Sequence, residues 1–313
     1  MNKLKDTRVL VTGAGGFIGS HLTRRLVDEG AEVSVFEISK TDNIKGVIDK
    51  TDLHRIDVCD FKSVHDTIRK IQPEKVYHLG AFVDTRRSFL NIDKIIQTNI
   101  QGTINLLNAL DGTDYNCFIH LGTLEEYGDN PVPFTENQIP DPMSPYSASK
   151  TSAAIFCKMY HKTFGSPAIT LRLPVVYGPY QSTKMFIPEL ICSALLKKDF
   201  KMSKGDQSRN FIYIEDIVDG LIKASVTKDA VGEIINLGSE REYKIKEVAI
   251  KILDLMGNPI KPLIGALPYR SGEVMHYYCD NKKAREILNW SPKTDLDDGL
   301  KKTIEWYTTK YKK

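Results

Sequence analysis

The sequence predicts an α/β fold, a Rossmann-type doubly wound parallel sheet with a smaller C-terminal α/β lobe that binds substrate. Three observations carry this. Apolar runs without polar alternation, suited to strands buried on both faces, alternate with stretches of helical periodicity through the first half. A glycine-rich turn joins the first strand to the first helix. Past residue 174 the texture breaks into short segments interrupted by Pro174, Pro179 and Pro188.

Strands are expected at 8–12, 32–37, 53–57, 75–79, 117–121 and 168–173, in the sheet order 3-2-1-4-5-6. Helices are expected at 17–28, 61–71, 92–110 and 145–164. The second part offers an extended segment at 209–214, a strand at 234–237, and helices at 216–225, 244–256, 281–288 and 296–307. The chain therefore divides into a dinucleotide-binding domain, 1–173, and a lobe, 174–313, interleaved with it. No repeat or low-complexity linker separates them, so the two should pack together.

Composition narrows the partners. The 313 residues are 41% hydrophobic and 27% charged, with a formal net charge of +3, ordinary for a globular chain with a full core. That balance gives no reason to expect nucleic acid or an anionic membrane, and Lys310, Lys312 and Lys313 read as a solvated tail. No apolar stretch reaches the ~20 residues of a membrane span. The first residues lack the apolar region of a secretory signal. Cys59, Cys117, Cys157, Cys192 and Cys279 are scattered without metal-ligand spacing and read as buried reduced thiols. A cytoplasmic location is expected.

The turn Thr12-Gly13-Ala14-Gly15-Gly16-Phe17-Ile18-Gly19 sits where a dinucleotide pyrophosphate rests on helix-terminal amides. Gly13 allows the tight turn, Gly16 the approach to phosphate and Gly19 the close packing of helix on strand. Phe17 and Ile18 open the helix between them. The three-and-three glycine spacing departs from the commoner fingerprint. Glu37 ends the second strand, where a carboxylate accepts from both adenosine ribose hydroxyls and repels a 2′-phosphate, favouring NAD over NADP. Lys40 stands nearby. Asp57-Val58 is expected beside the adenine, and Leu79-Gly80-Ala81 ends the fourth strand with small residues that let a cofactor pass.

Ser144-Pro145 starts a helix that carries Tyr146 and Lys150 four residues apart, on one face. An ammonium beside the phenol lowers the pKa of the latter, so that a tyrosinate takes a proton from a sugar hydroxyl as hydride leaves the same carbon. The spacing alone is unspecific, since Tyr180/Lys184 and Tyr278/Lys282 repeat it. Thr123 distinguishes Tyr146: it places a hydroxyl at the carboxyl edge of the fifth strand, where ligands bind in such sheets.

With these motifs the chain resembles the extended short-chain dehydrogenase/reductase family of nucleotide-sugar epimerases and dehydratases. The resemblance runs from the glycine turn through Asn99 in Gln97-Thr98-Asn99-Ile100-Gln101-Gly102-Thr103, Thr123, Tyr146 to Lys150, and Tyr177-Gly178-Pro179. It continues in Arg209-Asn210-Phe211-Ile212-Tyr213-Ile214-Glu215-Asp216, Arg270-Ser271-Gly272-Glu273 and Trp290-Ser291-Pro292. It implies Thr123, Tyr146 and Lys150 as catalytic residues, Asn99 as a helper in the proton path and cofactor contact, and Lys150 on the nicotinamide ribose. It implies that Arg209 and Arg270 grip the diphosphate of a nucleotide-diphosphate sugar, a task suited to guanidinium forks.

Departures from the family pattern bear on the reaction. In 4,6-dehydratases the catalytic threonine is followed by Asp and Glu, the acid and base of dehydration; here Leu124 and Glu125 follow Thr123. In an extended segment Glu125 would share a side with Thr123 and face the sugar as an acid/base or substrate contact. The alternative makes Glu125 and Glu126 two charges at a loop mouth. Glu126-Tyr127-Gly128 is similar to some 4-keto-6-deoxysugar reductases, and Val175 replaces an asparagine that contacts the diphosphate in many members. Three chemistries stay open: an epimerase that transiently oxidises C4, an NAD(P)H-consuming ketoreductase and a 4,6-dehydratase. A non-catalytic dinucleotide-binding subunit is a fourth reading, opposed by the intact Thr123/Tyr146/Lys150 set. Residues 195–204 are the expected base-recognition stretch, with Phe200 and Met202 either there or in the core. Apolar residues on two faces of the helices 92–110 (Ile95, Ile96, Ile100, Ile104) and 145–164 (Ala153, Ala154, Met159) point to a homodimer through a four-helix contact.

Overall fold

The computed structural model describes residues 4–39, 41–84, 86 and 88–311; Lys40, Lys312 and Lys313 lie outside them. In chain order the first half runs β1 (Arg8–Thr12), α1 (Phe17–Asp28), β2 (Glu32–Phe36), β3 (Thr51–His54), α2 (Phe61–Ile71) and β4 (Lys75–His78). A helical stretch follows in three pieces: α3 (Ile92–Ile95), a π-helical segment (Ile96–Gln101) and α4 (Gly102–Leu110). Then come β5 (Cys117–Thr123), a 3-10 turn (Leu124–Tyr127), α5 (Pro145–Phe164) and β6 (Ala168–Leu173).

Seven parallel strands form the main sheet in the order β11-β6-β5-β4-β1-β2-β3. The predicted order holds, with β11 (Ile234–Asn236) added at the β6 edge. The sequence reading had assigned that strand to the second lobe. It follows α7 (Ile214–Val226), a crossover that returns the chain to the sheet parallel to β6, with Ile234 opposite Thr170. The third strand ends at His54, earlier than expected; Asp57 instead turns the chain, its Oδ1 accepting Cys59 N–H at 2.9 Å.

The remaining elements gather around the carboxyl edge. They are β7 (Val175–Tyr177), α6 (Phe186–Leu195), β8 (Lys201–Met202), β9 (Ser208–Arg209), β10 (Phe211–Tyr213), β12 (Tyr243–Lys244), α8 (Ile245–Leu255), β13 (Leu263–Ile264), α9 (Lys282–Leu288) and α10 (Leu296–Tyr311). Three two-stranded pieces, β10-β7, β12-β9 and β13-β8, replace the single extended segment that 209–214 suggested. Phe200 and Met202 belong to the main core. One continuous apolar cluster runs from β1 and α1 to α10, so both halves share a core. Tyr77 of β4 donates to Ser225 Oγ of α7 at 2.6 Å, and buried Trp290 donates to Asp216 O at 2.9 Å. No helix among the described residues is long and apolar enough to cross a membrane.

Candidate active site

Between β1 and β4 neighbouring strands run off to opposite sides of the sheet, the switch point at which ligands bind in this architecture. The glycine turn occupies it. Gly13 has φ +71°, and a Cβ there would lie 2.7 Å from Gly80 N; a Cβ on Gly19 would lie 2.1 Å from Gly13 O. Gly16 caps α1 without a side-chain acceptor, which leaves the first-turn amides, those of Phe17 and Ile18 among them, for a ligand. Buried Glu37 lies against this turn: Oε2 accepts Gly15 N–H at 2.7 Å, and Oε1 accepts Ser39 N–H and Oγ–H at 2.8 and 2.6 Å. A carboxylate has lone pairs to spare beyond these bonds, so it can also receive ribose hydroxyls. Leu79 N–H and Gly80 N–H donate to Thr12, which draws Leu79-Gly80-Ala81 beside Gly13. Val58 is buried under α4, where a Cβ on Gly102 would lie 2.7 Å from its Cγ2. The donor set of uncapped helix amides, glycine cradle and strand-end carboxylate fits a dinucleotide.

Asn99 lies inside the π-helical segment and is buried. It accepts Phe82 N–H at 2.7 Å and donates to Phe82 O at 3.1 Å and Ser149 Oγ at 2.9 Å. The π segment aims this amide at both the loop after β4 and the first turns of α5. Single π turns often mark functional sites, and no helical periodicity reveals one.

Ser144 caps α5 as expected; its Oγ accepts Ser147 N–H at 3.0 Å, Ser147 Oγ answers to Ser144 N–H, and Pro145 takes the first turn. Tyr146 and Lys150 thus share a rigid helical face. Neither look-alike pair does so: Tyr180 has a left-handed φ of +66° outside any helix, and Tyr278 precedes α9.

At the end of β5 the expected extended segment is a 3-10 turn. Thr123 Oγ1 accepts Glu125 N–H at 3.2 Å and Glu126 Oε1 accepts Thr123 N–H at 2.8 Å, a capping box that coils the chain at once. The turn separates the two glutamates. Glu125 faces a cleft with Ser147, Arg209, Arg270, Glu273 and Tyr277. Glu126 points inward, fully buried, and pairs with Arg172 of β6 through Nη2 at 2.9 Å. The loop-mouth reading is therefore wrong for Glu126. Leu124 is buried against Tyr127, Phe134, Tyr277 and Cys279.

Charge and burial shape this site. Burial pushes the Tyr146 phenol up, and the carboxylates of Glu125 and Glu126 push it further. That corrects the expectation of a phenol already lowered by Lys150. Lys150, itself buried, is lowered to about 8 by desolvation, with Glu126 opposing the shift. Below it in the sheet, His78 is lowered to about 3 and His120 well below its usual value, both by burial and then by the Lys150 charge.

Arg209 pairs with Glu273, donates to Val274 O at 2.9 Å and lies 5.3 Å over the Tyr277 ring. Exposed Arg270 lines the same cleft. Tyr277 lines the cleft beside the Thr123 side chain. The sequence reading missed Tyr277, and it gave Glu273 no role although the acidic residue stood in the quoted motif. The Glu126–Arg172 pair joins positions 46 apart and left no local signal.

The GDP-mannose 4,6 dehydratase family profile matches residues 10–303. dTDP-glucose 4,6-dehydratase 1 of Escherichia coli K12 is 33% identical over 339 aligned positions, covering 97% of this chain and 94% of that protein. The solved UDP-glucuronic acid 4-epimerase of Bacillus cereus, in complex with UDP-glucuronic acid and NAD, superposes with a TM-score of 0.90 at 30% identity, covering 97% of this chain and 99% of that one. The UDP-glucose 4-epimerase of Thermotoga maritima, with UDP-glucose, gives a TM-score of 0.92 at 27% identity, covering 97% and 99%. The chain belongs to the extended short-chain dehydrogenase/reductase family of nucleotide-sugar epimerases and dehydratases.

Proposed function

We propose that this chain is an NAD-dependent nucleotide-sugar 4-epimerase. One observation carries the choice within the family: position 124, an acid in dehydratases, holds Leu124 with its side chain sunk in a core cluster, while Thr123, Tyr146 and Lys150 are all present. The site keeps the residues that would oxidise C4, and position 124 offers no acid to protonate a leaving hydroxyl at C6. NAD, held by the glycine turn and Glu37, would supply the hydride acceptor and donor for C4. Tyr146 accepts the O4 proton as the ketone forms and gives it back after the sugar has turned over. Thr123 hydrogen-bonds O4, and Lys150 supplies the cation that offsets a tyrosinate. Arg209 exchanges Glu273 for the substrate diphosphate, and Arg270 closes on it from the cleft mouth.

Glu125, half-buried in the sugar cleft, favours a 4,6-dehydratase as the second reading. Purified protein with NAD, offered UDP-, dTDP- and GDP-hexoses, tests both. Interconversion of C4 epimers without loss of water supports the epimerase. A 4-keto-6-deoxy product overturns it in favour of dehydration. Turnover only with stoichiometric NAD(P)H and a ketosugar overturns it in favour of a reductase.

Glu37 should set cofactor choice. Its buried carboxylate meets the adenosine ribose and would face a phosphate dianion in NADP, so NAD should bind more tightly. Glu37→Ala should narrow that preference at least tenfold, about 1.4 kcal/mol. Equal affinities in the unmodified protein, measured by calorimetry, would remove Glu37 from this role.

A homodimer also belongs to this reading. Ile95, Ala153 and Ala154 turn inward, contrary to expectation, while Ile96, Ile155 and Met159 remain exposed on α5 and the π segment, with Phe164 at the end of α5 and Phe89 and Leu90 just before α3. Exposed apolar side chains on α5 and the helical stretch packed against it suit a subunit contact. Light scattering at low micromolar concentration should give twice the chain mass; a monomer counts against it.

A further inference from the structure

Glu126 is the buried charge in this site that the scheme above leaves without work. The fold is built around it. Oε1 accepts Thr123 N–H at 2.8 Å, and Oε2 receives Arg172 through Nε and Nη2, each at 2.9 Å. Gly122 makes the room, since a Cβ there would lie 2.5 Å from Oε1 and 3.1 Å from Arg172 Cγ. The guanidinium also lies 4.5 Å over the Tyr127 ring, whose hydroxyl donates to Asn236 Oδ1 at 2.9 Å. β5, β6 and β11 therefore fix one carboxylate.

Buried ion pairs are poor sources of net stability, and an apolar pair would fill this space at less cost in desolvation. We propose that Glu126 is a positioning residue of the active site: an anion clamped by Arg172 that holds Thr123 in place and sets the field around the Tyr146 phenol and the Lys150 ammonium. The proposal rests on the reading of those three residues as the catalytic set.

Burial raises the Glu126 carboxyl, while Arg172, the Thr123 N–H and Lys150 favour its charged form. From α5 the groups in range are Tyr146, Lys150 and Cys157, and burial raises the Cys157 thiol to about 12, so it stays neutral. From β4 and β5 come His78 and His120, neutral by burial. β6 brings Arg172, and the turn itself brings Glu125 and Tyr127, the latter also acted on by Glu136. Glu126 raises both Tyr146 and Lys150; Arg172 is not a cause of either shift. Removing its charge must lower both together, which a loss of shape would not do.

The test uses NAD-loaded protein and Glu126→Gln, the neutral isostere. The Tyr146 titration is read from the tyrosinate ultraviolet difference between each protein and its Tyr146→Phe counterpart, which needs no sugar. The pH–rate profile with a turned-over nucleotide sugar is the second readout. Glu126→Gln should move the titration and both limbs of the profile to lower pH by roughly one unit or more. Glu126→Asp, which keeps the charge, should leave them within a few tenths of a unit. A Gln variant that loses rate with an unmoved titration overturns the proposal and makes Glu126 structural. If the unmodified protein turns over no nucleotide sugar, the epimerase reading fails while the titration still decides this one. Should Glu126→Gln leave Arg172 too costly to bury alone, Glu126→Gln with Arg172→Gln removes the pair together. The same acid shift is expected, and its absence overturns the proposal.

Discussion

Tyr146→Phe should leave the protein folded and still holding NAD, yet cut turnover by ~10²–10⁴-fold, the usual cost of losing a general acid/base. The variant keeps the ring and its packing on the first turn of α5 and removes one oxygen. The capping box of Ser144 and Ser147 forms without that oxygen, so the helix start survives. Burial and the two nearby carboxylates hold the phenol above its ordinary value, so a tyrosinate there is scarce at neutral pH. The rate of C4 oxidation, followed as cofactor reduction on adding nucleotide sugar, should therefore rise with pH on its acid side. In the Phe variant that limb should vanish along with the rate. Retention of more than a tenth of the activity would show that another group takes the O4 proton, and Glu125, in the adjoining cleft, would be the first to examine.

How much could be read before the structure follows from the range over which each signal acts. The glycine turn, the Ser144-Pro145 helix start and the parallel strand order are local or periodic features. Their physics, φ > 0 at Gly13 or a cap within three residues, is written in adjacent letters. The extended reading of 123–125 failed because the Thr123 hydroxyl accepts Glu125 N–H and the Glu126 carboxylate accepts Thr123 N–H, and that capping box coils the chain into a 3-10 turn. Helical periodicity over 92–110 was real but concealed the π turn that aims Asn99, since one inserted residue per turn barely disturbs an apolar stripe. Least legible were pairs made by topology. Glu126 meets Arg172 because β5 and β6 are neighbours in register, with Gly122 opposite Arg172, and Tyr277 meets Thr123 because the chain returns to the sheet edge 154 positions later. Such contacts depend on the whole fold, and they decide which of two adjacent glutamates faces the cleft.

Lys150→Met should trade function for stability. Lys150 is buried, and its ammonium is lowered to about 8 from 10.5, with desolvation as the first cause. A cation whose folded pKa is depressed costs the fold free energy wherever both states are protonated, below about pH 8. From there up to 10.5 the unfolded chain keeps a proton that the fold has released, so this group's contribution to stability rises with pH across that window. A shift of this size corresponds to about 3 kcal/mol at 1.36 kcal/mol per unit. Methionine fills a similar volume without the charge and leaves the Glu126–Arg172 pair closed. The cofactor-free variant should therefore melt higher than the unmodified protein at neutral pH, with the gap closing as pH approaches the ordinary lysine range. Turnover should fall ~10²-fold or more, because the tyrosinate at Tyr146 loses its counter-charge, and NAD should bind more weakly with no ammonium for the ribose. Thermal melts across pH, taken beside cofactor titration, separate the two effects. A variant that melts lower at neutral pH would mean that the ammonium is well solvated or bonded in the free protein, and that the lysine is held in the fold by stability rather than by its chemistry.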